Sequence, residues 1–241
     1  MSLTQTQHRH SEQGFTLVEL AIVMVIIGLL IGGILKGQEL IANAKISSTV
    51  SQLKGLDAAM NTFQDKYNIA PGLMTDATTR LPGCAAPCAN SAGAITTLDF
   101  PAGTGDSKTQ VFLHLNAADL ISGIDTSGSS LTFGKLLPTV KAGGGMWIGR
   151  AAAATSGGGN TVLTAGKQYA ILSGTTANVG DATGVLSSTA AAQIDRKMDD
   201  GQPTSGAVQT RGTGCQGTGT PIPYDEANTG ATCAMFSRVL N

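Results

Sequence analysis

A single carboxylate lies within an apolar segment near the start of the chain. Glu19 is the only charged residue in the segment 15–35. A charged side chain costs at least ~2.5 kcal/mol at the centre of a bilayer and less near its surface. Pairing with a cation makes such a carboxylate tolerable, and reaching the headgroups is the alternative. Glu19 is therefore a candidate for a specific pairing interaction.

The four cysteines are candidates for disulfides or for a metal site. They are Cys84, Cys88, Cys215 and Cys233. In an exported domain an even number indicates disulfides, and three connectivities are possible. We favour Cys84–Cys88 with Cys215–Cys233, because each pair is local in the sequence. Zinc bound by all four is the alternative, but structural zinc sites have short gaps within each ligand pair, and only Cys84–Cys88 has one.

Residues that could support catalysis are few. The sequence contains three histidines, of which His8 and His10 precede Gly14. His114 lies between two leucines in a predicted helix, which favours a structural role. The sequence has no recognisable nucleophile motif and no phosphate-binding glycine motif in a strand–helix context. We therefore expect neither enzymatic activity nor a cofactor.

A pair of carboxylates follows a second predicted helix. Asp199, Asp200 and Gly201 could bind Ca²⁺ with the help of loop carbonyls. They lack the alternating acidic ligands of an EF-hand, and a solvated helix C-terminus is the interpretation that we favour. No metal site is therefore predicted.

The element that positions Glu19 is an apolar helix. The run Ala21–Leu35 consists entirely of apolar residues and glycine. At about 1.5 Å per residue, a helix over 15–35 would extend ~32 Å, enough to cross the ~30 Å hydrocarbon layer. The sequence has no second run of this length, so at most one transmembrane helix is predicted.

The pattern after Lys36 becomes amphipathic. Apolar residues recur at spacings of three and four, typical of one helical face: Ile46, Val50, Leu53, Leu56, Met60, Phe63 and Tyr67. The helix is therefore expected to continue to about Tyr67. We expect this face to seat the C-terminal half of the helix on a globular domain.

Residues 68–241 are expected to form that globular head. Pro71 and Gly72 are expected to end the long helix. Helices are predicted at 112–121 and 188–198, and short strands at 131–133, 146–148, 161–164 and 168–172, between glycine clusters. The fold class predicted is α+β, with a long N-terminal helix packed on a small antiparallel sheet.

The N-terminal residues resemble a known export signal. Gly14-Phe15-Thr16-Leu17-Val18-Glu19, followed by the apolar run, is similar to the type III signal of type IV pilins and type II secretion pseudopilins. The helix end at 63–72 and the segments 111–121 and 194–203 also resemble pilin-like proteins. The disulfide expected between Cys215 and Cys233 is similar to the C-terminal loop of many pilins.

The resemblance implies a maturation pathway. Residues 1–14 would be a leader that prepilin peptidase removes between Gly14 and Phe15, with N-methylation of Phe15. The mature chain would have a helix at 15–67, of which 15–35 is the transmembrane part and filament core and 36–67 the amphipathic part. Residues 68–241 would be the head.

The resemblance also implies partners and a location. The subunit would wait in the inner membrane with its head in the periplasm, then enter a pilus at the cell surface. Its partners would be copies of itself, other pilins, an assembly platform and a separate ATPase. We hypothesise that Glu19 pairs with the Phe15 ammonium of a neighbouring subunit. Adhesion and motility are the roles such filaments suggest.

Composition excludes some functions and leaves alternatives. Charged residues make up 13% of the chain and the net charge is −1, so a strong overall basic field for nucleic acid is absent. From residue 68 onward, ten Lys and Arg face eleven Asp and Glu. The alternatives to a pilus subunit are a type II secretion pseudopilin, a minor pilin that binds DNA or a surface ligand, and a monomeric membrane-anchored periplasmic protein.

Overall fold

The structure, a computed structural model, describes residues 14–91, 93–151, 163–176, 184–212, 214–230 and 233–240. The chain divides into two units, Met1–Asn43 and Ala44–Asn241. Helix α1, Leu17–Tyr67, is 51 residues long and contributes to both units. We call Ala44–Asn241 the C-terminal unit.

Helix α1 ends on a left-handed residue. Asn68 has φ 55°, a backbone conformation common just after a helix C-terminus, and its N–H donates to the Gln64 carbonyl at 2.8 Å. Further along, Gly72 has φ +79°, and an added Cβ there would overlap the Ser107 carbonyl oxygen. The expected break near Pro71 and Gly72 is thus confirmed, with Asn68 beginning it.

The amphipathic part of α1 forms one wall of the core. All the predicted face residues from Ile46 to Phe63 are buried, and Tyr67 is half-buried. Each large apolar side chain buried in this way contributes about 1.5–3 kcal/mol. Two hydrogen bonds add to this attachment: Gln52 Nε2 donates to the Thr139 carbonyl at 2.6 Å, and Leu240 N–H donates to Asp57 Oδ1 at 3.1 Å.

A four-stranded antiparallel sheet forms the rest of the core. Its strands are β1 (Gly145–Arg150), β2 (Gln168–Ser173), β3 (Val208–Arg211) and β4 (Ala234–Val239), in the order β1-β2-β4-β3. Ile171 lies opposite Trp147 on one side and Phe236 on the other, and all three are fully buried. The predicted α+β, pilin-like architecture is confirmed.

Three shorter helices complete the C-terminal unit: α2 (Ala77–Arg80), α3 (Ser107–Ala117) and α4 (Ser188–Met198). The bounds predicted for α4 are confirmed, and the Ser187 hydroxyl caps it by accepting from Ala190 N–H at 3.2 Å. The bounds predicted for α3 were wrong. Asp106 caps it by accepting from Lys108 N–H at 2.9 Å, so α3 begins at Ser107 rather than at 112. It ends at Ala117 rather than at 121.

The strand predictions were correct in part. Segments 146–148 and 168–172 lie in β1 and β2. Segment 131–133 is not a strand, and Phe133 makes only an isolated bridge to Leu137. Of segment 161–164, the first two residues lie outside the described residues and the last two are not in a strand. Strands β3 and β4 were not predicted.

Candidate functional site

The residues of the expected processing site lie just before α1. Gly14, Phe15 and Thr16 precede the helix, and the residues before Gly14 lie outside the described part of the chain. Phe15 is 89% exposed, and a Cβ added at Gly14 would meet nothing within 4 Å. The Gly14–Phe15 peptide bond is therefore accessible to an enzyme. Cleavage there stays a prediction.

Glu19 and Thr16 form a reciprocal cap at the start of α1. Glu19 Oε2 accepts from Thr16 N–H at 2.9 Å and from the Thr16 hydroxyl at 2.8 Å. In return Glu19 N–H donates to Thr16 Oγ1 at 3.3 Å. This arrangement is a capping box, which satisfies donors that the first helical turn leaves unpaired. Our sequence reasoning missed Thr16, although Thr-x-x-Glu before an apolar run is a recognisable signal.

The helical surface after this cap is apolar and exposed. Leu17 is 87% exposed and Leu29 73%, and none of the most apolar 18-residue window is buried. Among the described residues, α1 is the one helix long and apolar enough to cross a membrane. Its N-terminal part therefore fits single-pass membrane anchoring.

The cysteines are joined in two local disulfides. Cys84 is bonded to Cys88, and Cys215 to Cys233, the connectivity that we favoured from the sequence. The second bond ties the loop after β3 to the residue before β4, and both its cysteines are fully buried. The four paired sulfurs leave no thiolate for a metal ion, so the structure does not support the zinc alternative.

His114 is a buried link between three segments. Its Nδ1 accepts from Gly72 N–H at 3.1 Å, and its Nε2 lies 2.9 Å from the Ala89 carbonyl, to which it donates. Burial lowers the pKa of His114, with the Ala89 hydrogen bond acting in the opposite direction. A neutral, fully buried imidazole with both nitrogens bonded agrees with the structural role expected for it.

The acidic residues at the end of α4 close a turn. Asp195, Asp199 and Asp200 bring their carboxylates within 4.8 Å of one another. They accept hydrogen bonds from donors in residues 201–208 and from Tyr224. The three carboxylates therefore hold this turn at the end of α4, and Asp195 does so as a buried group rather than a solvated one.

Asp195 is the buried member of this cluster. It is fully buried, and its Oδ2 accepts from the Tyr224 hydroxyl at 2.8 Å. Burial raises the pKa of Asp195 to about 6, with hydrogen bonds from Tyr224 and Gly201 opposing and the charges of Asp200 and Asp199 reinforcing the rise. Burial likewise raises the pKa of Tyr224. This contact connects α4 to the loop that Cys215 and Cys233 enclose.

Comparison with known proteins identifies the N-terminal segment. Residues 9–35 match the prokaryotic N-terminal methylation motif, the prepilin signal of type IV pilins and pseudopilins. The matched range includes the capping box and most of the exposed apolar surface. No curated protein and no solved structure matches the chain. The resemblance noted at Gly14–Glu19 is thereby confirmed, and the motif indicates the type IV pilin and pseudopilin family.

Proposed function

We propose that this chain is a structural subunit of a type IV pilus-like filament, assembled through its N-terminal helix. The methylation motif at residues 9–35 is the observation that carries the proposal. It occurs at the start of a helix whose apolar side chains remain exposed, next to a C-terminal unit with its own buried core. Large exposed apolar surfaces mark membrane or protein interfaces, and a filament subunit uses such a surface for both in turn.

Maturation begins at the bond between Gly14 and Phe15. Cleavage there by prepilin peptidase converts the Phe15 amide into an ammonium, which is then N-methylated. The new cation lies at the start of α1, one helical turn before Glu19. It supplies the opposite charge that a carboxylate in an apolar environment needs.

Glu19 is the assembly residue in this proposal. In the single subunit its carboxylate is held by Thr16, which supplies two hydrogen bonds but no compensating charge. In the filament it pairs with the Phe15 ammonium of a neighbouring subunit. An ion pair removes the cost of an uncompensated carboxylate in an apolar environment, so this exchange favours assembly and fixes the axial position of the incoming helix.

The remaining partners follow from the motif. The subunit waits in the inner membrane, and an assembly platform with a separate ATPase moves it into a filament of identical copies and other pilins. A type II secretion pseudopilin would assemble by the same contacts into a periplasmic filament. Surface filaments that contain this chain, seen by electron microscopy after shearing, distinguish the pilus from that alternative.

The test combines the N-terminus with one substitution. Mass spectrometry of the cellular protein should find a chain that begins at N-methylated Phe15. Glu19→Ala should insert into the membrane normally but be depleted from filaments, because the ammonium of the next subunit loses its partner. Glu39→Ala is the matched control, since Glu39 lies exposed on the same helix and pairs only with Lys36 at 2.7 Å among the described residues. An uncut Gly14–Phe15 bond, or normal incorporation of Glu19→Ala, would contradict the proposal.

A further inference from the structure

A polar cleft opens on the C-terminal unit where α1 and α3 both end. Its volume is about 330 Å³, at the lower end of the ~300–1,000 Å³ of typical small-molecule pockets. We call it the Asp119 cleft, and the residues that define it are Lys66, Tyr67, Pro82, Gly83, Asn116 and Asp119. It has room for one small molecule or for one unit of a longer polymer.

Contacts within the subunit fix the walls of the Asp119 cleft. A Cβ added at Gly83 would lie 2.8 Å from the Ala117 carbonyl oxygen, so the loop at Gly83 packs directly on the end of α3. Tyr67 packs on Phe63, with ring centroids 4.6 Å apart, and its carbonyl accepts from Arg80 Nη2 at 2.9 Å. A ligand therefore meets walls that are already ordered, which lowers the entropic cost of binding.

Asp119 stands in a tight turn just after α3. Its φ is 57°, a left-handed conformation that aspartate and asparagine adopt more readily than most other residues. Two backbone hydrogen bonds of 3.0 Å fix the turn, from Asp119 N–H to the Asn116 carbonyl and from Leu120 N–H to the Leu115 carbonyl. The Asp119 carboxylate is exposed and has no hydrogen-bond or ion-pair partner among the described residues. The turn therefore leaves a charged acceptor available at a fixed position of the cleft.

Two other polar residues of the cleft also have bonding capacity left. In the part of the chain that the structure describes, the Lys66 ammonium makes no ion pair, and it lies 5.2 Å from the centre of the Tyr67 ring. Asn116 Nδ2 makes one long hydrogen bond, 3.4 Å to the Ile121 carbonyl, whereas Asn116 Oδ1 accepts from no donor in the described segments. The cleft therefore offers a donor at Lys66 and acceptors at Asn116 and Asp119.

This combination of groups favours a neutral ligand with several hydroxyl groups. The two charged residues that line the cleft, Lys66 and Asp119, have opposite signs, so net charge favours neither an anion nor a metal cation. An amino acid could pair with both charges but would leave Asn116 Oδ1 without a donor. A hydroxyl group both donates and accepts hydrogen bonds, so a sugar ring with three or more hydroxyls can satisfy all three residues.

We propose that the Asp119 cleft binds a hexopyranose unit of a carbohydrate. Asp119 accepts from two hydroxyls of the ring, Asn116 Oδ1 accepts from a third, and Lys66 donates to a ring or hydroxyl oxygen. The site belongs to the C-terminal unit alone, so it goes beyond the filament role proposed above and does not depend on it. In a filament, many copies of one weak site would act together and raise the overall affinity for a polymeric carbohydrate.

The first experiment measures sugar binding to the full-length chain. The protein is solubilised in a polyoxyethylene detergent, which carries neither sugar nor charge and so does not compete for the cleft. The probes are methyl glucoside, methyl galactoside and N-acetylglucosamine, and saturation-transfer difference NMR reports which of them binds. At least one should bind with a dissociation constant in the millimolar range. Free L-alanine, titrated in the same way, is the zwitterionic comparison and should not bind.

The second experiment places the sugar in the cleft. Asp119→Gly removes the carboxylate and keeps the left-handed turn, which glycine adopts without strain. Binding should weaken tenfold or more, as expected for the loss of a charged hydrogen-bond acceptor. Asn68→Gly is the matched control, because Asn68 is also exposed with a left-handed φ, 55°, and does not line the cleft. It should bind the sugar as the wild type does, and thermal unfolding checks that both variants are folded.

Each outcome supports or overturns the carbohydrate site. Absence of binding by all three sugars overturns it. Sugar binding that survives Asp119→Gly places the sugar elsewhere on the chain, which also overturns it. If L-alanine binds and the sugars do not, the cleft is an amino-acid site and the proposal is wrong. Because the measurement uses single solubilised chains, none of these results depends on filament formation, and a failure to form filaments leaves the carbohydrate site standing.

Discussion

Apolar side chains are exposed in the N-terminal part of α1 and buried in the part that belongs to the C-terminal unit. Leu30, in the N-terminal part, is 59% exposed, whereas Phe63, in the C-terminal unit, is fully buried. The first part therefore gains little stability from its own chain and depends on lipid or on other subunits. The second part is held by a core that the chain supplies itself. One continuous helix thus combines an exposed apolar surface with a wall of a folded domain.

Polar groups show the same contrast. In residues 15–35 the one charged side chain, Glu19, is hydrogen-bonded to Thr16 in the first turn of the helix. In the C-terminal unit, buried His114 and Asp195 each bond to two partners from other segments. Both of these buried groups are satisfied within the C-terminal unit, whereas Glu19 is bonded to one neighbouring residue. In the assembly that we propose, a cation from another subunit replaces that partner.

The largest expected effect comes from truncating one apolar residue in each part. Phe63→Ala should lower the free energy of unfolding of the C-terminal unit by ~3–5 kcal/mol, because it leaves a cavity in the core. Leu30→Ala should leave it unchanged. Near-UV circular dichroism of Trp147 during denaturant unfolding of the solubilised chain measures both. Equal effects of the two substitutions would remove the distinction between the two parts of α1.

Loss of the larger disulfide should come next in size. Cys215→Ala with Cys233→Ala should lower stability by ~3 kcal/mol in the loop-entropy model, since the bond spans a sequence separation of 18. Removing Cys84–Cys88, with a separation of four, should cost less. Membrane insertion, measured by alkaline extraction, should change in neither variant. A loss of insertion would show that the N-terminal part of α1 depends on the fold of the C-terminal unit.

The helices could be predicted from the sequence where buried apolar residues recur at the helical spacing of three and four. The face from Ile46 to Phe63 and the bounds of α4 were predicted correctly, because each has apolar spacing or an N-cap serine. The start of α3 was missed because Lys108 and Gln110 are buried polar residues. Their partners include carbonyl groups in the irregular segments before α3, such as that of Asp99, 2.9 Å from Lys108 Nζ, and no helical or strand period reveals these contacts.

The sheet could be predicted only in part, for a related reason. Strand β4 lies between β2 and β3, and five of its six residues are buried. It therefore lacks the alternation of a strand with one solvated face. At the N-terminus, the motif identified Gly14, Phe15 and Glu19, but the role of Thr16 became visible only in the capping geometry.

A smaller effect is expected from Asp195. Its folded pKa of about 6 lies above the ordinary value of 3.8, so the folded protein binds this proton more tightly than the unfolded chain. This contribution to stability is present at low pH and is lost as pH rises through about 6. Asp195→Asn should remove this pH dependence and raise stability above pH 7, on the order of 2 kcal/mol. Asparagine can keep both contacts if the Tyr224 hydroxyl accepts from its amide.

Thermal unfolding of the full chain at pH 5 and pH 7.5 measures the effect of Asp195→Asn. Asp119→Asn, a substitution at an exposed carboxylate whose left-handed φ of 57° suits asparagine, is the matched control and should not alter the pH profile. An unchanged profile in Asp195→Asn would show that another group sets the pH dependence of the C-terminal unit.

The smallest expected effect concerns the cap that joins Thr16 to Glu19. Thr16→Val removes the hydroxyl that accepts from Glu19 N–H and donates to its carboxylate, at a cost of ~1 kcal/mol in helix stability. Hydrogen exchange in micelles should therefore quicken only in the first turn, because the rest of α1 and the C-terminal unit do not depend on this contact. Thr16→Ser keeps the hydroxyl and should restore slow exchange. Faster exchange that reaches Phe63 in Thr16→Val would mean that the two parts of α1 unfold as one, and the contrast between an exposed apolar surface and a self-sufficient domain would not hold.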